Sequence, residues 1–208
     1  MNLIFGGFTR LPHFLQAIIN SEVIMDAQWS NTYFERGVDT KNRRVFVGEI
    51  DTDSAFVAVQ GLYYLDTISD EPIELFICSP GGCVYSCLAI YDILQTLKAP
   101  VHTFAFGLCM SAAPLLLAAG EPNHRWVSGH CSLMTHAYAD IIEGRGASLK
   151  VDLEHGQALD DTWNRLLAQH SSKDFKFWKS KSSRTSNFYF GAEQAIGWGL
   201  ADAVWSER

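Results

Sequence analysis

The sequence predicts a single α/β domain built on a mainly parallel sheet, on three observations. Short β-branched or aromatic runs alternate at least four times with segments of helical period, the pattern of strands joined by crossover helices. The 208 residues are 48% apolar and 19% charged, enough to bury a real core and too sparingly charged for a disordered chain. No low-complexity linker divides the chain, and no repeat with a period of roughly 20–50 residues is present.

Taken in order, residues 1–32 mix apolar residues with Asn and Ser without a sustained period and stand apart as an N-terminal arm. The arm has no basic residue before Arg10 and is interrupted by Pro12, which argues against a signal peptide. RVFVGEI (44–50) reads as a strand, after which Asp51 or Thr52 caps a helix reaching about Ile68. IELFIC (73–78) is a second, buried strand that ends in the sharp turn SPGG (79–82). VYSCLAIYDILQTLK (84–98) is an amphipathic helix stopped by Pro100. VHTFAF (101–106) is a third strand, MSAAPLLLAA (110–119) a helix ended by Gly120, and RWVSGHCSLMTHA (125–137) two short strand-like pieces. Gly144 to Gly146 breaks the chain before a long amphipathic helix over about 147–170. The polar stretch 171–187 reads as a connector to a final helix, Ala192–Gly197, and a terminal strand in ADAVW (201–205).

Composition removes several function classes. A net charge of −7 with no Lys/Arg-rich run argues against nucleic acid as a partner. The longest apolar stretch, Phe104 to Ala119, contains Pro114 and falls short of the about 20 residues a membrane span needs. Five clustered cysteines, an odd number, read as small buried residues in a reducing compartment rather than a disulfide framework. Cys131 with His124 or His130 has no paired CxxC beside it, so no metal is expected.

Three segments carry residues suited to chemistry. In GLCMSAAP (107–114), Ser111 sits where a buried strand gives way to a helix, which aims its hydroxyl at the site end of a parallel sheet beside free first-turn amides. The pattern is not the G-x-S-x-G elbow, and alone it reads as a small residue at a tight helix start. The glycines of SPGG let backbone N–H groups approach a developing negative charge, although the motif alone is an ordinary turn. Of seven histidines, His136 closes the apolar strand SLMT at its end, from where it can reach into a site.

Together and in this order, SPGG, GLCMSAAPLLLAAG and SLMTHAY resemble the Clp protease proteolytic subunit (ClpP) family. The resemblance continues through LAIYDILQTLKAPVHTFAFG (88–107) and GAEQAIGWGLADAV (191–204), and covers about residues 33–205. It implies a ClpP/crotonase-like spiral of β-β-α units with a protruding handle helix, 147–170, and divides the chain into the 1–32 arm and a 33–208 peptidase domain. It also implies a serine endopeptidase in which Ser111 is the nucleophile, His136 the general base, and the amides of Gly82 and Ala112 the oxyanion hole. The segment before the handle matches the strand that lies along bound peptide. Self-association into two stacked heptameric rings follows from the resemblance, as do unfolded polypeptide substrates and a cytoplasmic setting. A ring-shaped AAA+ unfoldase of the ClpX, ClpA or ClpC type is the implied partner and the user of ATP. No cofactor or metal is implied for the chain itself.

The family's third catalytic member, an aspartate, is missing. Alignment back from GAEQAIGWGLAD puts Asn187 in its place, whereas alignment forward from His136 points to Thr185; neither is acidic. The acid fixes the imidazole tautomer and stabilises the imidazolium, and replacing it by Asn in a triad built for Asp costs about 10⁴ in kcat. Ala112 stands where Met is usual, and Ala137-Tyr138 where Gln-Pro commonly follows the base. Two function classes are therefore carried forward: a working peptidase, and a catalytically silent ClpR-like structural subunit of a mixed ring. The related crotonase class, acyl-CoA chemistry on a similar fold, does not call for a Ser–His pair at this spacing.

Overall fold

Alternating strands and helices close one sheet in a computed structural model that describes residues 36–138, 147–182 and 187–205. The N-terminal arm, the 139–146 stretch expected along bound peptide, and Thr185 lie outside the described residues. The strands are β1 (Val38–Asp39), β2 (Arg44–Val47), β3 (Ile73–Ser79), β4 (Val101–Met110), β5 (Arg125–Ser128), β6 (Ser132–Thr135), β7 (Phe188–Phe190) and β8 (Ala203–Trp205). The helices are α1 (Thr52–Ile68), α2 (Val84–Leu94), α3 (Ala113–Ala118), α4 (Ala147–Gln169), α5 (Phe175–Ser182) and α6 (Ala192–Gly197). The main path runs β1-β2-β3-β4-β5-β8, parallel throughout except for β1 against β2.

Period-2 alternation in β3 buries Ile73, Leu75 and Ile77 against the helical layer, where Leu62, Leu65, Ile90 and Leu115–Leu117 complete the core. The opposite face carries an aromatic ladder, Phe46–Phe76–Phe104–Trp126, with ring centroids 5.1, 4.8 and 4.7 Å apart. Helix α1 starts at the expected residue because Asp51 and Ser54 form a capping box: Asp51 Oδ1 accepts the Ser54 N–H at 2.7 Å, and Ser54 Oγ accepts the Asp51 N–H at 2.9 Å.

The first strand read from the sequence ends at Val47 rather than 50, and the helix read over 110–119 spans Ala113–Ala118; two further boundaries also differ from the sequence reading. Helix α2 ends at Leu94 rather than 98, because Asp66 Oδ1 draws the Lys98 and Ala99 N–H groups off the helical path at 2.9 and 2.8 Å. Strand β4 runs four residues past Phe106, to Met110. Gly107, at φ +65°, bends it so that Thr103–Ala105 pair with β5 and Leu108–Met110 pair with β6. That bend carries the strand end to the site.

Helix α5 was not expected, since its apolar residues interleave with lysines. Asp174 caps it by accepting the Phe177 N–H at 2.8 Å, and fully buried Trp178 anchors it by donating Nε1–H to Ser171 Oγ at 2.8 Å. The handle helix α4 packs inward along its second half, where Asp160, Trp163, Asn164 and Leu167 are buried, while Val151 and Leu153 are 62% and 53% exposed. No cysteine is in a disulfide; Cys87, Cys109 and Cys131 are buried as expected, but Cys78 is half-buried and Cys83 exposed. No helix among the described residues is long and apolar enough to cross a membrane.

Candidate active site

The site begins with a backbone bend. Ser111 follows the last residue of β4 and has φ +57°, the left-handed region that costs a non-glycine residue about 1–3 kcal/mol unless its surroundings hold it there. They do: the Ser111 N–H donates to Met134 O of β6 at 2.8 Å. The turn after β3 leaves room for it. A Cβ on Gly81 (φ +93°) would lie 2.5 Å from Ser111 Cβ, and one on Gly82 (φ +145°) would strike the Ile50 carbonyl.

Ser79 Oγ, buried, accepts the Gly81 N–H at 3.0 Å. Gly81 O accepts the Ile50 N–H at 2.8 Å, and Cys83 donates to Ile50 O at 2.7 Å. This parallel bridge uses the groups on either side of Gly82 and leaves the Gly82 N–H out of the ladder. Gly82 and Ala112 line one cleft of about 290 Å³ with Ser111 and His136, so both expected amide donors border the nucleophile candidate.

The Ser111 Oγ lies 2.7 Å from His136 Nε2, and His136 Nδ1 lies 2.5 Å from Ala137 O. A carbonyl oxygen only accepts, so Nδ1 carries the proton and the Nε2 lone pair faces the serine hydroxyl. This is the tautomer a general base requires.

At the third position register and side-chain contact diverge. The β6–β7 register, Thr135 against Phe188, sets Asn187 across from His136 at the end of the ladder, in agreement with the alignment back from the closing helix. Its side chain is exposed, however, and its Nδ2 donates to Tyr189 Oη at 3.3 Å. Among the described residues no hydrogen bond joins Asn187 to the imidazole. The carbonyl one residue along takes the Nδ1 proton without a long side chain having to be ordered.

The far wall of the cleft belongs to α4. Tyr85 Oη and His155 Nε2 lie 2.8 Å apart, and Asp160 Oδ1 accepts the Tyr138 N–H at 3.0 Å. Lys179 of α5 meets Asp160 and Asp161 at 2.7 Å each; these hydrogen bonds hold its ammonium above the usual lysine range. Sequence reasoning passed over Asp160 and Lys179, because nothing local marks a carboxylate on one helix and an amine on another as partners. Three further histidines have structural surroundings: His102 and His124 stack 4.1 Å apart, and His170 Nε2 meets Tyr91 Oη at 2.8 Å. Burial pushes the Cys131 thiol up to about 12, and the Cys87 thiol, also raised by burial, donates to Ala112 O at 3.2 Å. These cysteines are protonated packing groups rather than nucleophiles. Among the described residues no group of three His, Cys or carboxylate side chains could hold a metal ion.

Residues 29–208 match the family model described as Clp protease.

Proposed function

We propose that this chain, which belongs to the Clp protease family, is a serine endopeptidase subunit that cleaves unfolded polypeptides inside a self-assembled barrel. The observation that carries the reading is the 2.7 Å contact from Ser111 Oγ to an His136 Nε2 whose proton sits on the other ring nitrogen. Ser111 attacks the scissile carbonyl, and His136 takes its proton and returns it to the leaving amine. The Gly82 and Ala112 amides hold the oxyanion, and the fixed backbone around them needs no reorganisation as charge develops. Asn187 is the neighbouring side chain from which help at the third position would come.

Assembly into stacked heptameric rings accounts for two surfaces that one chain leaves uncovered: the aromatic ladder with Trp205 edge-on against Phe76 and Phe104, where Phe46 and Trp205 are each 44% exposed, and the apolar residues of the protruding part of α4. A closed chamber selects extended chains by size, so an AAA+ unfoldase would deliver folded substrates and spend the ATP. The silent-subunit reading draws on one observation: among the described residues, Nδ1 meets a backbone carbonyl and no side-chain acid. A short fluorogenic peptide separates the two: the assembled protein cleaves it without nucleotide and Ser111→Ala does not. Equal, background-level rates from both would leave the silent ring subunit.

A further inference from the structure

The Ala137–Tyr138 peptide group is engaged at both ends. Its carbonyl accepts the His136 Nδ1 proton at 2.5 Å, and its N–H donates to Asp160 Oδ1 at 3.0 Å. Asp160 is 8% exposed and is fixed in turn: Asn164 Nδ2 donates to its backbone O at 2.6 Å and to its Oδ2 at 3.3 Å, and Lys179 Nζ to its Oδ2 at 2.7 Å. Ser182 Oγ donates to Asn164 Oδ1 at 2.9 Å, tying α5 to the same network. Gly156, one turn before Asp160, leaves space for the Tyr138 ring; a Cβ there would meet Cδ1 and Cε1 at 3.3 Å. The handle helix thus seats both the ring and the backbone of Tyr138.

We propose that Asp160 is a positioning residue for His136, acting through the Ala137–Tyr138 peptide in place of a side-chain acid on the imidazole. Donation by the peptide N–H to a carboxylate polarises the group and makes its carbonyl a better acceptor, as in other chains of hydrogen bonds in a low-dielectric setting. The order is then carboxylate, peptide, imidazole, serine. It depends on Tyr138: a proline there, common in the resembling family, has no N–H to give. Among the described residues, the charged and titratable groups around Asp160 are Lys179 from α5 and Asp161 from its own helix, with Arg165 beside Asp161. Those around His136 in the cleft are Ser111, Tyr85, Tyr138 and Cys83. Lys179 and Arg165 balance Asp160 and Asp161, so Asp160→Asn takes one negative charge away from behind the peptide.

The inference rests on the peptidase reading only for its consequence in rate, so the test has a second readout. Protein labelled with ¹³C,¹⁵N-histidine, sedimented for magic-angle-spinning NMR and assigned with His136→Gln, reports the His136 tautomer directly. Acylation of Ser111 by an activated ester, with the alcohol leaving group released and read optically, reports rate across pH. Asp160→Ala is expected to mix the Nε2–H tautomer into the Nδ1–H signal and to slow acylation about tenfold, less than the about 10²–10⁴ that loss of the general base itself would cost. Asp160→Asn keeps an acceptor for Tyr138 but not the charge. It is expected to restore the tautomer and to move the acid limb of acylation to lower pH, and it serves alone if the alanine variant does not fold. A purely structural role would change melting and assembly but neither tautomer nor acid limb. Parental tautomer and acid limb in both variants would overturn the proposal while leaving the peptidase reading intact. A parent that is never acylated, but whose tautomer depends on Asp160, would sink the peptidase reading and uphold the positioning role.

Discussion

The two ends of the His136 imidazole are built in opposite ways. On the serine side everything is local backbone: a left-handed Ser111 pinned by Met134 O, two glycines that admit no Cβ, and amides outside any ladder. On the Nδ1 side the partner is one carbonyl, backed by a carboxylate 22 positions beyond Tyr138 and an amine 19 positions beyond that. The first end is fixed by residues that must be what they are. The second is assembled by tertiary packing from residues that could have been otherwise, which teaches why one end of a triad can be rebuilt while the other stays constant.

The largest effect expected is on the serine side. Ser111→Ala should remove peptide cleavage by at least about 10³-fold, as loss of a nucleophile does, while leaving melting close to the parent's. A variant that retained a tenth of the activity would place the chemistry elsewhere. Gly82→Ala comes next: a side chain at φ +145° that strikes the Ile50 carbonyl should cost about 2–3 kcal/mol in denaturant unfolding and most of the acylation rate. A tolerated alanine would show that the turn can move, and the contrast between the two ends would weaken.

On the Nδ1 side the effects should be smaller. Lys179→Met leaves the mostly buried Asp160 without its ammonium, but Lys179 is itself 36% exposed and water makes up part of the loss, so about 1–2 kcal/mol is expected. Lys179 titrates above its ordinary 10.5 because Asp160 and Asp161 accept from it. The parent's advantage in melting should therefore be complete below pH 10.5 and fade as pH rises through the higher folded value. A gap already closed at pH 8 would contradict the ion pair. Asn187→Asp should change acylation least, by under about threefold, because Nδ1–H already has an acceptor; this falls well short of the about 10⁴ separating Asp from Asn in a triad built around Asp. A hundredfold gain would show Asn187 to be a vacated acid position that the carbonyl does not replace.

The same contrast explains what the sequence disclosed. SPGG, the Ser111 junction and His136 at a strand end were legible because each is a local requirement of backbone geometry, and their order carried the family. The α1 start was legible too, since its capping box is complete within four residues. Helix α5 and the Asp160–Lys179 contact were not, because lysines interleave with the aromatic residues of α5 and the pairing joins two separate helices. The β6–β7 register sets Asn187 across from His136, yet its side chain turns to Tyr189, a rotamer choice that alignment does not reach.

The central claim, a serine activated without a side-chain acid on its histidine, is tested most directly by fluorophosphonate treatment of the assembled protein. The adduct is read by intact mass and peptide mapping, with Ser111→Ala as control. The account predicts one adduct per chain, on Ser111, and none in the variant. An assembled protein that stays unlabelled, or is labelled equally in the variant, would contradict it.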